Sequence, residues 1–412
     1  MWKPSQRLTR TVSIACVVAL TLVAAGCRGD DNGGSATGVT DDTIVIGGSF
    51  PFSGPLAEFG KLGDGVAIAF DEVNGEGGIN GRQIQFETYD DAYDPSQLAS
   101  NARKIVENDK AFAFIGFGGT NLTIRDYMKG KSVPQFVMAG NVPLSNIDEY
   151  QTTRAWWPDI LLEGAITAKH VLEDNPNAKI GVTGLDNDIT ASQIQGIKKG
   201  LDGKTERLVA EAPFPPDKKD ISGEMNRLKE AGANTLITGM TAPQGSNALK
   251  YLSQIGWNPD IYNYSNSSSI ESLINQAGQS AKALHSVQWL KDPADKQWDD
   301  DESIQGYKSA VRKYGDDKSQ ADSQLTLNGY AFGKTLISVL SDLDDPTRTG
   351  LLKAWDGVND LENGALLPGL TLNSGPDGRL IHSYRLTTWN GTSWDIADGV
   401  IDAFELGLID KG

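Results

Sequence analysis

From Thr43 onward, short apolar runs alternate with longer stretches whose apolar residues recur every three or four positions. Thr43–Phe50 (TIVIGGSF) is apolar and β-branched, which predicts a strand buried on both faces of a parallel sheet. Leu62, Val66, Phe70 and Val73 then fall on one face of a helix. The glycines and asparagines of 74–81 end that helix, and 84–89 reads as a second strand. Asp94-Pro95 opens the next helix, with Asp as N-cap and Pro in the first turn, and Leu98, Ala102, Ile105 and Val106 form its inner face. Residues 111–117 and 134–139 read as two further strands with a helix between them.

The alternation restarts after Trp157. A helix at 163–172 is followed by strands at 179–185, 207–212, 235–240 and 260–265, separated by helical stretches. Helices are expected again at 304–314 and 325–340, and the segment 370–398 is strand-like, rich in Trp, Tyr and Thr. Strands alternating with helices imply parallel sheets with right-handed crossovers. The restart implies an α/β fold of two doubly wound, Rossmann-like lobes. Such sheets bind ligands at the carboxyl ends of their strands, so two lobes facing each other make one cleft.

Composition changes the picture at the N-terminus. Lys3, Arg7 and Arg10 precede an apolar run from 12 to 25, which ends in Val23-Ala24-Ala25-Gly26-Cys27. Cations, a short apolar run and small residues have the layout of a secretory signal, and the run is too short to span a membrane comfortably. Residues 1–26 are therefore expected to be a signal peptide. Residues 27–42, polar and glycine-rich after Cys27, are expected to be a flexible tether. The two cysteines of the chain are Cys16 and Cys27, so the exported domain is expected to have no disulfide. The net charge is −17, and nucleic acid is an unsuitable partner for such a surface.

Two segments carry a family resemblance. Val23–Cys27 resembles the lipobox of bacterial lipoproteins, which implies lipidation of Cys27 and a membrane anchor on the extracytoplasmic face. The run 44–95 resembles the start of the branched-chain (leucine/isoleucine/valine) amino-acid binding proteins, the periplasmic type I receptors of ABC importers. The matching residues are Ser53-Gly54-Pro55, Phe59-Gly60, Asn74, Gly77-Gly78-Ile79-Asn80-Gly81 and Asp90-Asp91. The resemblance implies lobe one at 43–157 plus 287–375 and lobe two at 158–286 plus 376–412, with crossings near 156–159, 285–289 and 370–380. It implies a solute held in lobe one by the loops Gly118-Gly119-Thr120-Asn121 and Ala139-Gly140-Asn141, with Phe59 covering it. Glycines let backbone N–H groups approach an anion, which gives this placement physical sense.

In lobe two the chain departs from the family pattern. Ile189 stands where a ligand-facing tyrosine is common, Thr241 near another aromatic position, and Ser265 near the carboxylate that many members aim at the ligand's ammonium. Asp188 and Asp186 are alternative partners for an ammonium, or simply turn and cap residues. Some members join the loop before Pro95 to the loop after the next strand by a disulfide; those positions here are Tyr93 and about Gly119.

Catalysis has little support. His170, His285 and His382 are widely spaced, no nucleophile elbow is present, and no cofactor or metal is implied. The acidic groups Asp90-Asp91-Asp94 and 292–302 lack the calcium-loop pattern of an EF-hand. The expected function is non-enzymatic. A monomeric receptor takes an amino acid, or a related small carboxylate or amide, and hands it to a membrane permease. A ligand sensor of the same fold acting on a signalling partner, and a lipid-anchored hydrolase, are the alternatives.

Overall fold

The computed structural model describes residues 36–409 except 283 and 345. The signal segment, Cys16, Cys27 and the tether up to 35 lie outside the described residues. Among the described residues no helix is long and apolar enough to cross a membrane.

The strands are β1 (Thr43–Phe50), β2 (Gln83–Asp90), β3 (Ala113–Phe117), β4 (Gln135–Met138), β5 (Thr153–Ala155), β6 (Ile180–Gly184), β7 (Leu208–Glu211), β8 (Thr235–Gly239), β9 (Asp260–Asn263), β10 (Leu284–Gln288), β11 (Ser383–Trp389), β12 (Trp394–Ile396) and β13 (Ile401–Asp402). The helices are α1 (Gly60–Gly75), α2 (Pro95–Arg103), α3 (Arg125–Gly130), α4 (Ile160–Asp174), α5 (Asp188–Gly200), α6 (Ser222–Glu230), α7 (Ala242–Gln254), α8 (Asn275–Ala277), α9 (Glu302–Tyr314), α10 (Gln324–Ser341) and α11 (Arg348–Asp356).

They build two sheets. The first is all parallel in the order β2-β1-β3-β4-β5. In the second, β7-β6-β8-β9-β10 repeats that order in parallel, and β11 and β12 extend it antiparallel beyond β10. Each half is thus a doubly wound sheet with a switch point beside its first strand, where a crevice opens at the carboxyl ends.

In each lobe a glycine seam packs the helices tightly. Gly65 and Gly329 bring α1 and α10 so close that a Cβ on either would strike the backbone of the other helix. Gly164, Gly196 and Gly200 do the same between α4 and α5. Such contacts leave no room for a side chain and make each lobe a stiff unit.

The chain departs from its sequence reading in four places. Residues 36–42 are not a free tether: Val39 is buried, Val45 N–H donates to Gly38 O, and Arg82 Nε donates to Thr40 O. One apolar residue in the polar run is enough to dock it. Residues 284–288 form β10 inside the second sheet, so that crossing begins at Trp289. Residues 370–382 are irregular, and the strands begin only at Ser383. The short strand β5 and helix α11 had no sequence signal.

The crossings meet around a core of large aromatics. Trp156 packs edge-on to Trp289 and Phe332, and Phe136 packs on Trp355. Asn328 Oδ1 accepts from Trp156 Nε1 at 2.8 Å and from Trp157 Nε1 at 3.2 Å. At the centre sits Arg379, fully buried. Its guanidinium donates to Trp157 O at 2.5 Å, Ala139 O at 3.1 Å and Asn141 O at 2.9 Å. Asp159 and Asp377 lie 3.7 and 3.5 Å away and neutralise it. Burial opposes the ionisation of Asp377, but the His382 hydrogen bond and Arg379 overcome it and hold its carboxyl below the usual range.

Arg379→Met would leave two buried carboxylates without their counter-ion and three carbonyls without their donor. A loss of about 3–5 kcal/mol is expected, read as a lowered unfolding midpoint by circular dichroism. A variant as stable as the parent would show that the crossings are held by aromatic packing alone.

Candidate ligand-binding cleft

Between the carboxyl ends of the two sheets lies a cavity of about 100 Å³. Lobe one contributes Leu56, Phe59, Tyr93, Phe117, Gly118, Gly119, Ala139, Gly140, Asn141 and Trp157. Lobe two contributes Leu185, Asn187, Ile189, Gly239, Met240, Thr241, Tyr264, Asn266 and Ser267. Among the described residues that line it there is no Asp, Glu, Lys, Arg or His.

The lobe-one wall is aromatic. Phe59 stacks on Phe117 with centroids 4.5 Å apart, and Trp157 meets Phe117 edge-on at 5.7 Å. Phe59 is placed by the turn Ala57–Phe59 that leads into α1. Phe117 is the last residue of β3, and Trp157 follows β5 into the crossing.

The loop after β4 is held from behind. The carbonyls of Ala139 and Asn141 accept from Arg379, and that of Gly140 accepts from Ile160 N–H at the start of α4. No acceptor among the described residues takes the Gly140 or Asn141 N–H. This loop thus keeps two backbone donors for an anion. In the loop after β3, Gly118 has φ +81 and is covered by the Tyr93 ring, so no other residue fits there. The Gly119 amide lies beside the Tyr93 hydroxyl. Thr120 Oγ1 is buried without a partner.

Tyr93 sits on a strained turn. Ala92 and Tyr93 both have left-handed backbone, φ +48 and +62. The turn is propped by Asp90 accepting from Ala92 N–H and Asp91 accepting from Tyr93 N–H, both at 2.9 Å. Burial first, then the charges of Asp91 and Asp188, raise the Tyr93 phenol above its usual range and keep its proton in place. Residues 93 and 119, where some family members have a disulfide, are in contact here through the phenol. The acidic residues are spent likewise: Asp94 caps α2, and Asp292 accepts from Ile270 and Ala294 N–H.

The sequence-derived residues fall into two groups. Phe59, Gly119, Ala139, Gly140, Asn141, Ile189 and Thr241 line the cavity. Thr120, Asp188 and Ser265 do not. Asp188 is exposed as the first residue of α5, which Asn187 caps by accepting from Ile189 and Thr190 N–H; Asp186 is exposed as well. Ser265 is consumed by Glu163: its Oγ lies 2.8 Å from Oε2, and its N–H donates to Oε1 at 2.9 Å. A carboxyl therefore does stand at Ser265, brought by α4 from 102 residues upstream. It is fully buried, is accompanied by no cation among the described residues, and is not part of the cavity wall. Tyr93, Phe117, Tyr264 and Met240 had no sequence signal as cleft residues; Trp157 was a candidate only through its place at a crossing.

Across the mouth of the cleft, Lys61 Nζ on α1 lies 2.9 Å from Glu271 Oε1 of lobe two. Both side chains are about one-third exposed.

A two-lobed α/β protein whose facing strand ends enclose an uncharged, aromatic-walled cavity belongs to the solute-binding class. Residues 43–394 match the periplasmic binding protein family, and the chain belongs to it. The Leucine-, isoleucine-, valine-, threonine-, and alanine-binding protein of Pseudomonas aeruginosa is 24% identical over 218 residues, a match taking in 52% of this chain and 58% of that protein. The structure of a branched-chain amino acid ABC transporter protein from Thermus thermophilus with bound valine superposes with a TM-score of 0.78 at 14% identity, covering 88% of this chain and 97% of that one. A solute binding protein of an ABC transporter from Rhodopseudomonas palustris BisB5, in complex with 3,4-dihydroxybenzoic acid, superposes at 0.74 with 16% identity, covering 90% and 99%. These two likenesses establish the shared fold.

Burial raises the Glu163 carboxyl from 4.5 to about 8, against the Ser265 hydrogen bonds that lower it. Burial also raises Asp292, from 3.8 to about 7. A carboxyl raised on folding is favoured in its neutral form, so the native state holds more protons than the unfolded one between the two values. Its contribution to stability then declines as pH rises through that interval and levels off above it. Glu163→Gln keeps an acceptor for Ser265 N–H and a donor for Ser265 Oγ. It is expected to be at least as stable as the parent at pH 8, and to flatten the fall of the unfolding midpoint from about pH 5 to about pH 8.5. An equally steep fall in the variant would assign the slope to other groups.

Proposed function

We propose that the protein is the extracytoplasmic receptor of an ABC importer. It is anchored through lipidated Cys27 and closes its lobes on a compact carboxylic acid that lacks an α-ammonium group. The observation that carries the ligand reading is the cavity wall. A buried ammonium without a carboxylate is costly, and the one carboxyl near the expected place, Glu163, is committed to Ser265. An anion is better served. Gly140 and Asn141 N–H groups and the Asn141 amide gather at lobe one, and Phe59, Trp157, Ile189 and Met240 suit an apolar body.

The size fits. A cavity near 150 Å³ holds a benzene ring, so one of about 100 Å³ suits a smaller solute, on the scale of a branched short chain. Binding would favour closure because each lobe supplies part of the wall. Family membership supports the receptor role, and the signal and lipobox pattern supports the anchor.

The test is thermal unfolding of the exported domain against leucine, valine, their deaminated acids, benzoates and short aliphatic acids. A ligand at one hundred times its dissociation constant adds about 2.7 kcal/mol, and a shift of a few degrees is expected with acids alone. A shift with leucine or valine and none with the acids would return the protein to the family's amino-acid ligands.

A further inference from the structure

Tyr93 is the cavity-lining residue whose placement takes the most from the chain. Its backbone is left-handed together with that of Ala92, two carboxylates prop the turn, and Gly118 has given up its side chain to make room for the ring. The ring also packs 5.8 Å from Phe117. A residue needed only to fill space requires none of this. Backbone strain held by its surroundings concentrates where a side chain is aimed for use.

The unused proton says what the use is. A phenol carries one proton to donate. Tyr93 lines the cavity, and no acceptor for its phenol proton is found among the described residues.

We infer that Tyr93 is a specificity-determining ligand contact, presenting in the cavity an O–H that meets an oxyanion of the solute. This rests on the carboxylic-acid reading above. A neutral donor on lobe one favours a carboxylate over its amide, because hydrogen bonds to a charged acceptor are stronger than those between neutral groups.

The experiment is Tyr93→Phe, which keeps the ring against Gly118 and Phe117 and removes the hydroxyl. Binding of benzoate and isovalerate, and of benzamide and isovaleramide, is measured by calorimetry for the full exported domain and the variant, with the ligand-free unfolding midpoint as a control. The expected result is an acid affinity lower by about 10- to 100-fold, a much smaller loss for the matching amide, and an unchanged midpoint. Equal losses for acid and amide, or no loss, would overturn the assignment while leaving the acid-receptor reading intact. If neither acid binds the parent, that reading falls and the role of Tyr93 falls with it. Should Phe perturb the ligand-free midpoint, the acid and amide affinities are compared at a temperature well below the lower of the two midpoints, and the acid-over-amide loss must persist there for the inference to stand.

Discussion

A guanidinium shut away from water has to find partners for five N–H groups inside the protein, and the segments that supply them are fixed by that need. Arg379 finds four of them at Ala139, Asn141, Trp157 and the Ser145 hydroxyl, with Asp159 and Asp377 close enough to balance its charge. Those partners are the loop after β4 and the crossing from β5 to α4. Arg379 itself comes from the last crossing, so one buried ion locks crossing segments to one another and to the cavity wall. The consequence for chemistry follows from donor and acceptor bookkeeping. Because the carbonyls of the 139–141 loop are drawn towards Arg379 and α4, the two free amides are what the loop has left to offer, and a loop of free amides suits an anion.

The rigidity of the lobes has a separate source. Glycines at the α1–α10 and α4–α5 contacts allow backbone to touch backbone, and packing at that distance has no soft direction. Any motion between open and closed forms is therefore confined to the crossings. The aromatic cluster of Trp156, Trp289 and Phe332 fills the space there without imposing directional bonds. Glu163 belongs to the same economy. Its carboxyl pins the turn after β9, which carries the cavity residues Tyr264, Asn266 and Ser267, to α4, the first helix beyond the crossing.

Much of this architecture was legible in the sequence because it is written in local patterns. The limits of β1 and the Asp94-Pro95 cap follow from apolar runs and turn chemistry, and the structure places both where those signals put them. The strand β5 is three residues long and carries no pattern of its own; it exists because β4 offers it an edge. The glycine-loop and Phe59 positions were readable because they lie in the segments that resemble the family. Ser265 misled for a physical reason. Its role is set by Glu163, a residue distant in sequence, and no spacing rule connects a helix at 163 with a strand end at 265. Tyr93 was visible only as a missing cysteine. Its approach to Gly119 depends on two left-handed residues, neither of them glycine, so nothing in the composition announced the turn.

A receptor of the proposed kind must not stay shut without its solute, and the contacts between the lobes meet that condition. Lys61 and Glu271 clasp the mouth, yet both are substantially exposed, and pairs of that kind contribute about 0–1 kcal/mol and weaken with salt. A ligand bound by both walls adds to that weak clasp, shifting the population by no more than its differential affinity for the two forms. The strained turn at Ala92–Tyr93 fits the same account: strain of about 1–3 kcal/mol per residue is paid once on folding, so the phenol is already in place when the ligand arrives.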